Sequence, residues 1–208
     1  MMQGLFSRHA RVLSALIAGL GIFALSGANA RASVLATDAC DNSTLSQPFV
    51  PWGDSSYYKL VPGGSFESGA TGWTLSGKAG VVAGSETFGA TGSVGSQSLS
   101  LPAGSSAQSP YTCVDAAYPS FRFFARNNGV ASTVLVSVVY KTVLGLQVAL
   151  PVGTVLLTPS WAPSAVMLTA SAIPAALSGG TTNVALRFTA AAGSSQIDDV
   201  FVDPRLSP

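Results

Sequence analysis

From Tyr58 to Pro204 the chain is a series of short apolar–polar alternations separated by Gly, Pro, Ser and Asn. Gln97, Leu99 and Leu101 alternate with Ser98 and Ser100, the period of two that marks a half-buried strand. Phe121, Phe123 and Ala125 oppose Arg122, Phe124 and Arg126, and Val184, Leu186 and Phe188 oppose Ala185, Arg187 and Thr189. The longest predicted strand, Ser132–Thr142, sets Val134, Val136, Val138 and Tyr140 on one face. Shorter strands are predicted at Tyr58–Val61, Tyr111–Val114 and Trp161–Thr169. Trp73–Ser76 and Ala79–Ala83 read as a pair joined at Gly77-Lys78. Val148–Leu157 holds Pro151 and Gly153, which predicts two pieces or one bulged strand. Gly84–Gly95 reads as a Gly-rich loop, and Ser171–Thr182 as a connection with a helical turn near Ala175–Leu177. About eight to ten strands, with turn signals between them and no amphipathic helix, predict an all-β, antiparallel β-sandwich in one domain over 58–208. A lipocalin-like barrel is the alternative, but it favours more regular hairpins than these uneven loops.

The last strand, Gln196–Pro204, carries two adjacent carboxylates, Asp198 and Asp199, in a β-branched run. Asp has poor strand propensity, and a buried carboxylate needs donors or a cation. Strict alternation puts Asp199 on the face of Ile197 and Phe201 and Asp198 on the other. If Ile197 and Phe201 face the core, Asp199 is the buried one.

The N-terminus has a different pattern. Arg8, His9 and Arg11 precede an apolar run from Val12 to Leu25, and Ala28-Asn29-Ala30 follows as a small-residue cleavage site. This reads as a secretion signal over 1–30. The run is shorter than the ~20 residues of a membrane span, so no span is expected in the mature chain. An irregular arm over 31–57, broken by Pro48, Pro51 and Gly53, then leads into the sandwich. Export makes Cys40 and Cys113, the only two cysteines, an expected disulfide. Closing a loop of roughly 70 residues stabilises by about 4 kcal/mol on the chain-entropy model.

Only 9% of residues are charged. Losing Arg8 and Arg11 turns the formal net charge of +1 into about −1. No overall charge attracts nucleic acid or an anionic membrane. The single histidine is His9, so the mature chain has none. That excludes Ser-His-Asp and Cys-His catalysis and His-bearing zinc sites. The Ala- and Gly-rich composition suggests a bacterial source.

Several short motifs in order carry a family resemblance. Gly64-Ser65-Phe66-Glu67-Ser68-Gly69 is followed by Gly72-Trp73, then by Ser160-Trp161-Ala162-Pro163 and a terminal Ile197-Asp198-Asp199-Val200. The set resembles the galactose-binding-like jelly rolls, which include carbohydrate-binding modules of the family 4, 9 and 22 type and many exported proteins. The resemblance covers about Tyr58 to Pro204. It implies a jelly-roll sandwich with Trp73 and Trp161 in its packing. It also implies a structural calcium where the first and last strands meet, with Glu67 and one of Asp198 or Asp199 as side-chain ligands.

The leading expectation is a secreted, non-catalytic module that binds carbohydrate at or outside the cell surface. Trp52, Tyr57 and Tyr58 of the arm would supply stacking surfaces, and Arg122, Arg126 and Arg187 a polar sheet face. An exported structural or adhesive scaffold with an extracellular protein partner is the alternative. A glycoside hydrolase or lyase that needs only carboxylates is the minor one. It would draw on Glu67, Glu86, Asp115, Asp198 and Asp199, with Glu86 the freest because it lies in the Gly-rich loop.

Overall fold

The computed structural model describes residues 44–115, 120–169 and 181–204. The leader, Cys40, the first part of the arm and the turn expected near Ala175–Leu177 lie outside the described residues. In chain order the strands are β1 (Lys59–Leu60), β2 (Thr74–Ser76), β3 (Gly80–Ala83), β4 (Gln97–Leu101), β5 (Ser106–Gln108), β6 (Thr112–Asp115) and β7 (Ser120–Asn127). They continue with β8 (Ser132–Lys141), β9 (Gln147–Leu157), β10 (Ala162–Pro163), β11 (Met167–Leu168), β12 (Thr181–Ala192) and β13 (Ser195–Asp203). One sheet runs β10-β7-β13-β4-β3, with β1 also on β13 and β11 on β7. The other runs β2-β5-β12-β8-β9, with β6 also on β12. All pairings are antiparallel, giving a sandwich of jelly-roll type.

The expected alternations put one face of each long strand inside. Val134, Val136, Val138, Val184, Leu186 and Phe188 meet Leu99, Phe121, Phe123, Ile197, Val200 and Val202 in the core between the sheets. Two local expectations change, a pair of alternatives is decided in favour of one bulged strand, and one further strand appears. β2 and β3 are not a hairpin: β2 pairs with β5 and β3 with β4, so the Gly77-Lys78 turn carries the chain from one sheet to the other. β5 has no apolar repeat long enough to announce it. Residues 147–157 form one strand with a register shift opposite Val136 and Ser137, where Pro151 and Gly153 sit. The Trp161–Thr169 segment divides into two two-residue strands on β7.

The first sheet is covered on its outer side as well. Every residue of β13 is buried. Beyond the inner core, Phe49, Tyr58, Phe124, Trp161 and Phe201 form a second apolar cluster. Trp161 packs there and not between the sheets, whereas Trp73 is inside. The arm reaches this outer face through a 3-10 turn at Val50–Trp52 with Pro51 inside it, and through a two-way backbone bridge between Ser46 and Tyr58. Asp54 locks it down by accepting hydrogen bonds from the Tyr58 hydroxyl at 2.7 Å, the Ser56 amide at 3.0 Å and Arg122 Nη1 at 3.0 Å. Arg122 Nε and Nη2 both donate to the Ser164 carbonyl, and the guanidinium lies 4.3 Å over the Phe49 ring.

Burial opposes the Asp54 charge, but the bonds from Tyr58, Ser56 and Arg122 outweigh it and hold the carboxyl below its ordinary 3.8. A depressed folded pKa gives stability that is present above the ordinary value and lost as pH falls through the lower one. Asp54→Asn should therefore flatten the acid limb of a melting-temperature profile. An unchanged limb would mean that the arm is not held by this charge.

Candidate functional site

The start of the sandwich, Val61–Gly64, meets its last strand at the centre of the first sheet. The Val61 amide donates to the Val200 carbonyl at 2.8 Å, and the Val200 amide donates to the Gly64 carbonyl at 3.1 Å. Gly64 has to be glycine, because a Cβ there would lie 2.9 Å from the carbonyl oxygens of both Val61 and Val200. β13 breaks its register between Asp198 and Phe201, and Asp199 takes a left-handed φ of 43°. The bulge adds one residue, so Ile197 and Val200 both point inward while Phe201 points out. The alternation argument for choosing between the two aspartates fails for that reason, and both are buried.

These carboxylates hold the loop over 84–97. Asp198 accepts from Ser85 Oγ at 2.7 Å and from the Glu86 amide at 2.9 Å. Glu86 accepts from the Phe88 and Ala90 amides. Glu67 accepts from the Ser96 and Gln97 amides at 2.8 and 2.9 Å, and from Ser96 Oγ. The Glu67 carboxylate occupies the space a side chain at Gly95 would need. The Gln97 amide first, and Ser96 after it, keep Glu67 below its ordinary pKa. Burial drives Asp198 up to about 6, and burial with repulsion from Asp198 and Glu86 drives Asp199 up as well. Glu86 is fully buried and bound, which corrects the expectation that it is the freest carboxylate.

Glu67, Glu86, Asp198 and Asp199 supply the hard oxygen donors that calcium takes, and three of the four are buried. Their donor chemistry fits that ion. Among the described residues, however, no three His, Cys, Asp or Glu side chains already form a metal-holding group. As they stand, Glu67, Glu86 and Asp198 point at amides and hydroxyls of the loop.

The loop and the arm together present two aromatic rings. Trp52 and Phe88 meet edge to face at 4.9 Å and 88°, and both rest on the buried Phe124 ring, at 5.4 and 5.5 Å. Trp52 is 36% exposed and Phe88 48%. Tyr57 is 42% exposed. Of the expected binding residues, Tyr58 and Arg122 are corrected to buried braces of the arm. Arg126 lies 5.0 Å over the Trp161 ring and donates to Gln196. Arg187 is on the other sheet, where Nε and Nη2 both donate to Gln108 Oε1. The expected set thus divides between two sheets, and only Trp52 and Tyr57 offer open aromatic surface. Phe88 was missing from it. Its signal is a lone aromatic in a loop of small residues, with no apolar period to serve.

No family model and no curated protein matches the chain. Solved structures do resemble it. The C-terminal family 22 carbohydrate-binding module of a Clostridium thermocellum xylanase is 20% identical, covers 72% of this chain and 93% of its own, and has a TM-score of 0.47. A xylan-binding domain of the same module family is also 20% identical, with 74% and 99% covered and a TM-score of 0.47. A two-module Clostridium thermocellum xylanase structure complexed with xylohexaose is 15% identical over 66% of this chain, at a TM-score of 0.46; the chain spans 27% of its length. At these identities and scores, neither membership nor a ligand is transferred from them.

Truncating Asp198 removes the acceptor that ties the loop to β13. Asp198→Ala should speed hydrogen exchange at the Glu86, Phe88 and Ala90 amides well before global unfolding. Protection equal to that of the wild type would show that the loop is held by other contacts.

Proposed function

We propose that this chain is an exported, non-catalytic carbohydrate-binding module whose binding surface is the Trp52–Phe88 platform. The observation that carries the reading is the exposed ring pair itself. Two large apolar surfaces are fixed by buried neighbours, Trp52 on the arm and Phe88 on a loop tied down by three carboxylates, so stacking a sugar ring costs little ordering. The absence of histidine from the mature sequence and the burial of Glu86, Asp198 and Asp199 support a module without chemistry of its own. A Cys40–Cys113 disulfide fits the same exported setting, and Cys113 is buried on β6.

Binding of the oxidised chain to a polysaccharide panel that includes xylan and β-1,4-galactan should fall at least about thirtyfold in Trp52→Ala, and comparably in Phe88→Ala. Tyr57→Ala should change it little. Equal affinity in all three variants would remove the platform from the reading. Capture of an extracellular protein without glycan binding would move it to a scaffold.

Calcium at the carboxylate quartet is part of the proposal. A raised carboxyl pKa means that the fold favours the protonated form, so that contribution is full below the ordinary 3.8 and is lost as pH rises through the folded values. In EDTA, stability should therefore drop across neutral pH, and calcium should raise the melting temperature most at the alkaline end. A melting temperature indifferent to calcium at every pH would leave the quartet to its hydrogen-bonding role alone.

A further inference from the structure

The chain has one Asn-Gly step, Asn128-Gly129, and it lies in the bend between β7 and β8. Asn128, Gly129, Val130 and Ala131 are all exposed. The fold treats the two asparagines before that glycine differently. Asn127 is buried; its Nδ2 donates to the Leu157 carbonyl at 2.8 Å, and its Oδ1 accepts from the Gly129 amide at 3.1 Å. The Asn128 backbone amide donates to the Ser194 carbonyl at 3.0 Å, but the Asn128 side chain makes no hydrogen bond among the described residues. Gly129 takes a left-handed φ of 88°, with open space where a side chain would stand. A free side-chain amide followed by a backbone nitrogen that no side chain shields is the arrangement that closes a cyclic imide. The other described asparagines lack a part of it. Asn127 is tied down and is followed by a residue with a side chain. Asn183 lies within β12, ahead of the buried and β-branched Val184.

The same bend supports the end of the sandwich where β13 begins. Asn127 is the register partner of Ser195, the first residue of β13. Gly193, in the turn before it, takes a left-handed φ of 64°. A Cβ there would lie 2.6 Å from the Ala131 carbonyl oxygen and 2.7 Å from Ser132 Cβ. The two turns therefore meet with no room for an added atom on the β13 side.

We propose that Asn128 is a spontaneous deamidation site, and that its isoaspartate product loosens the start of β13. The Gly129 nitrogen gives its proton to water and attacks Asn128 Cγ. The bond from Cγ to Nδ2 breaks, ammonia leaves, and a cyclic imide remains. Water then opens the imide at either carbonyl, giving aspartate or isoaspartate at position 128. Both products put a carboxylate where the amide was neutral. Isoaspartate also routes the main chain through Cβ, which lengthens the bend by a methylene and shifts what rests on the Gly193 turn. The bond from Gly129 to Asn127 opposes the reaction, because it holds the proton that the nitrogen must lose. The folded chain thus reacts in the local openings that break this bond, and more slowly than an unfolded one. None of this depends on the carbohydrate reading, because no residue of the bend belongs to the Trp52–Phe88 platform.

The oxidised chain is held at physiological temperature in neutral and in mildly alkaline buffer, digested in acid, and followed by mass spectrometry. The peptide containing Asn128 should be the first to gain one mass unit, and should gain it faster in the alkaline buffer. Electron-transfer fragmentation should place the change at position 128 and show isoaspartate there. Asn128→Gln should stop the gain, since its longer side chain would have to close a larger ring, and should leave the near-ultraviolet circular dichroism unchanged. The isoaspartate form, separated by anion exchange, should melt below the parent. A folded chain that keeps the Asn128 amide while the same chain in urea loses it overturns the site, as does earlier deamidation at another asparagine. Equal melting temperatures of the two forms overturn the consequence for β13.

Discussion

The site depends on one interaction, the hold that Asp198 has on Ser85 and Glu86. It joins the central strand of a sheet to a loop that has almost no apolar side chains with which to anchor itself. Hydrogen bonds to a charged acceptor are stronger than neutral ones, and burial removes the water that would compete for them. From that anchor the order spreads outward. Glu86, once fixed, takes the Phe88 and Ala90 amides, and Glu67 takes Ser96 and Gln97 at the far end of the loop. Phe88 then rests against Trp52 and Phe124 because the backbone beneath it is fixed.

The cost of that design is electrostatic. Burying carboxylates side by side raises the free energy of ionising them, which is why Asp198 and Asp199 hold their protons more tightly than exposed aspartates do. The bulge places both at the crowded point, and the left-handed backbone at Asp199 adds conformational strain. Strain and like charge stored at one point, where the first and last segments of the sandwich meet, are the pattern expected where a fold trades stability for a function.

The sandwich was legible because its long strands obey a strict period of two. Val134 to Tyr140 and Val184 to Phe188 face the core as their alternation requires. Legibility failed where a partner was decided at a distance. Thr74–Ser76 and Gly80–Ala83 are neighbours in sequence with a good turn between them, yet each finds its pair elsewhere. Two adjacent carboxylates in a β-branched run mark Asp198 and Asp199 in the sequence, but one inserted residue cancels any argument from alternation. Arg122 and Tyr58 read as free polar and aromatic groups because nothing local reveals that Asp54 sits between them. Phe88 became visible only after the arm had been laid across the sheet.

The position of β13 has a bearing on how such a chain is made. It is the last of the described strands to be synthesised, and it lies inside its sheet, bonded to β7 on one side and, along its length, to β4 and β1 on the other. Until it emerges, the first sheet is in three pieces, β7 with β10 and β11, β4 with β3, and β1 alone, and the inner core lacks Ile197, Val200 and Val202. Pairings this distant in sequence form slowly. Without β13 there is no finished sandwich, so completion of the first sheet waits until synthesis has reached residue 203.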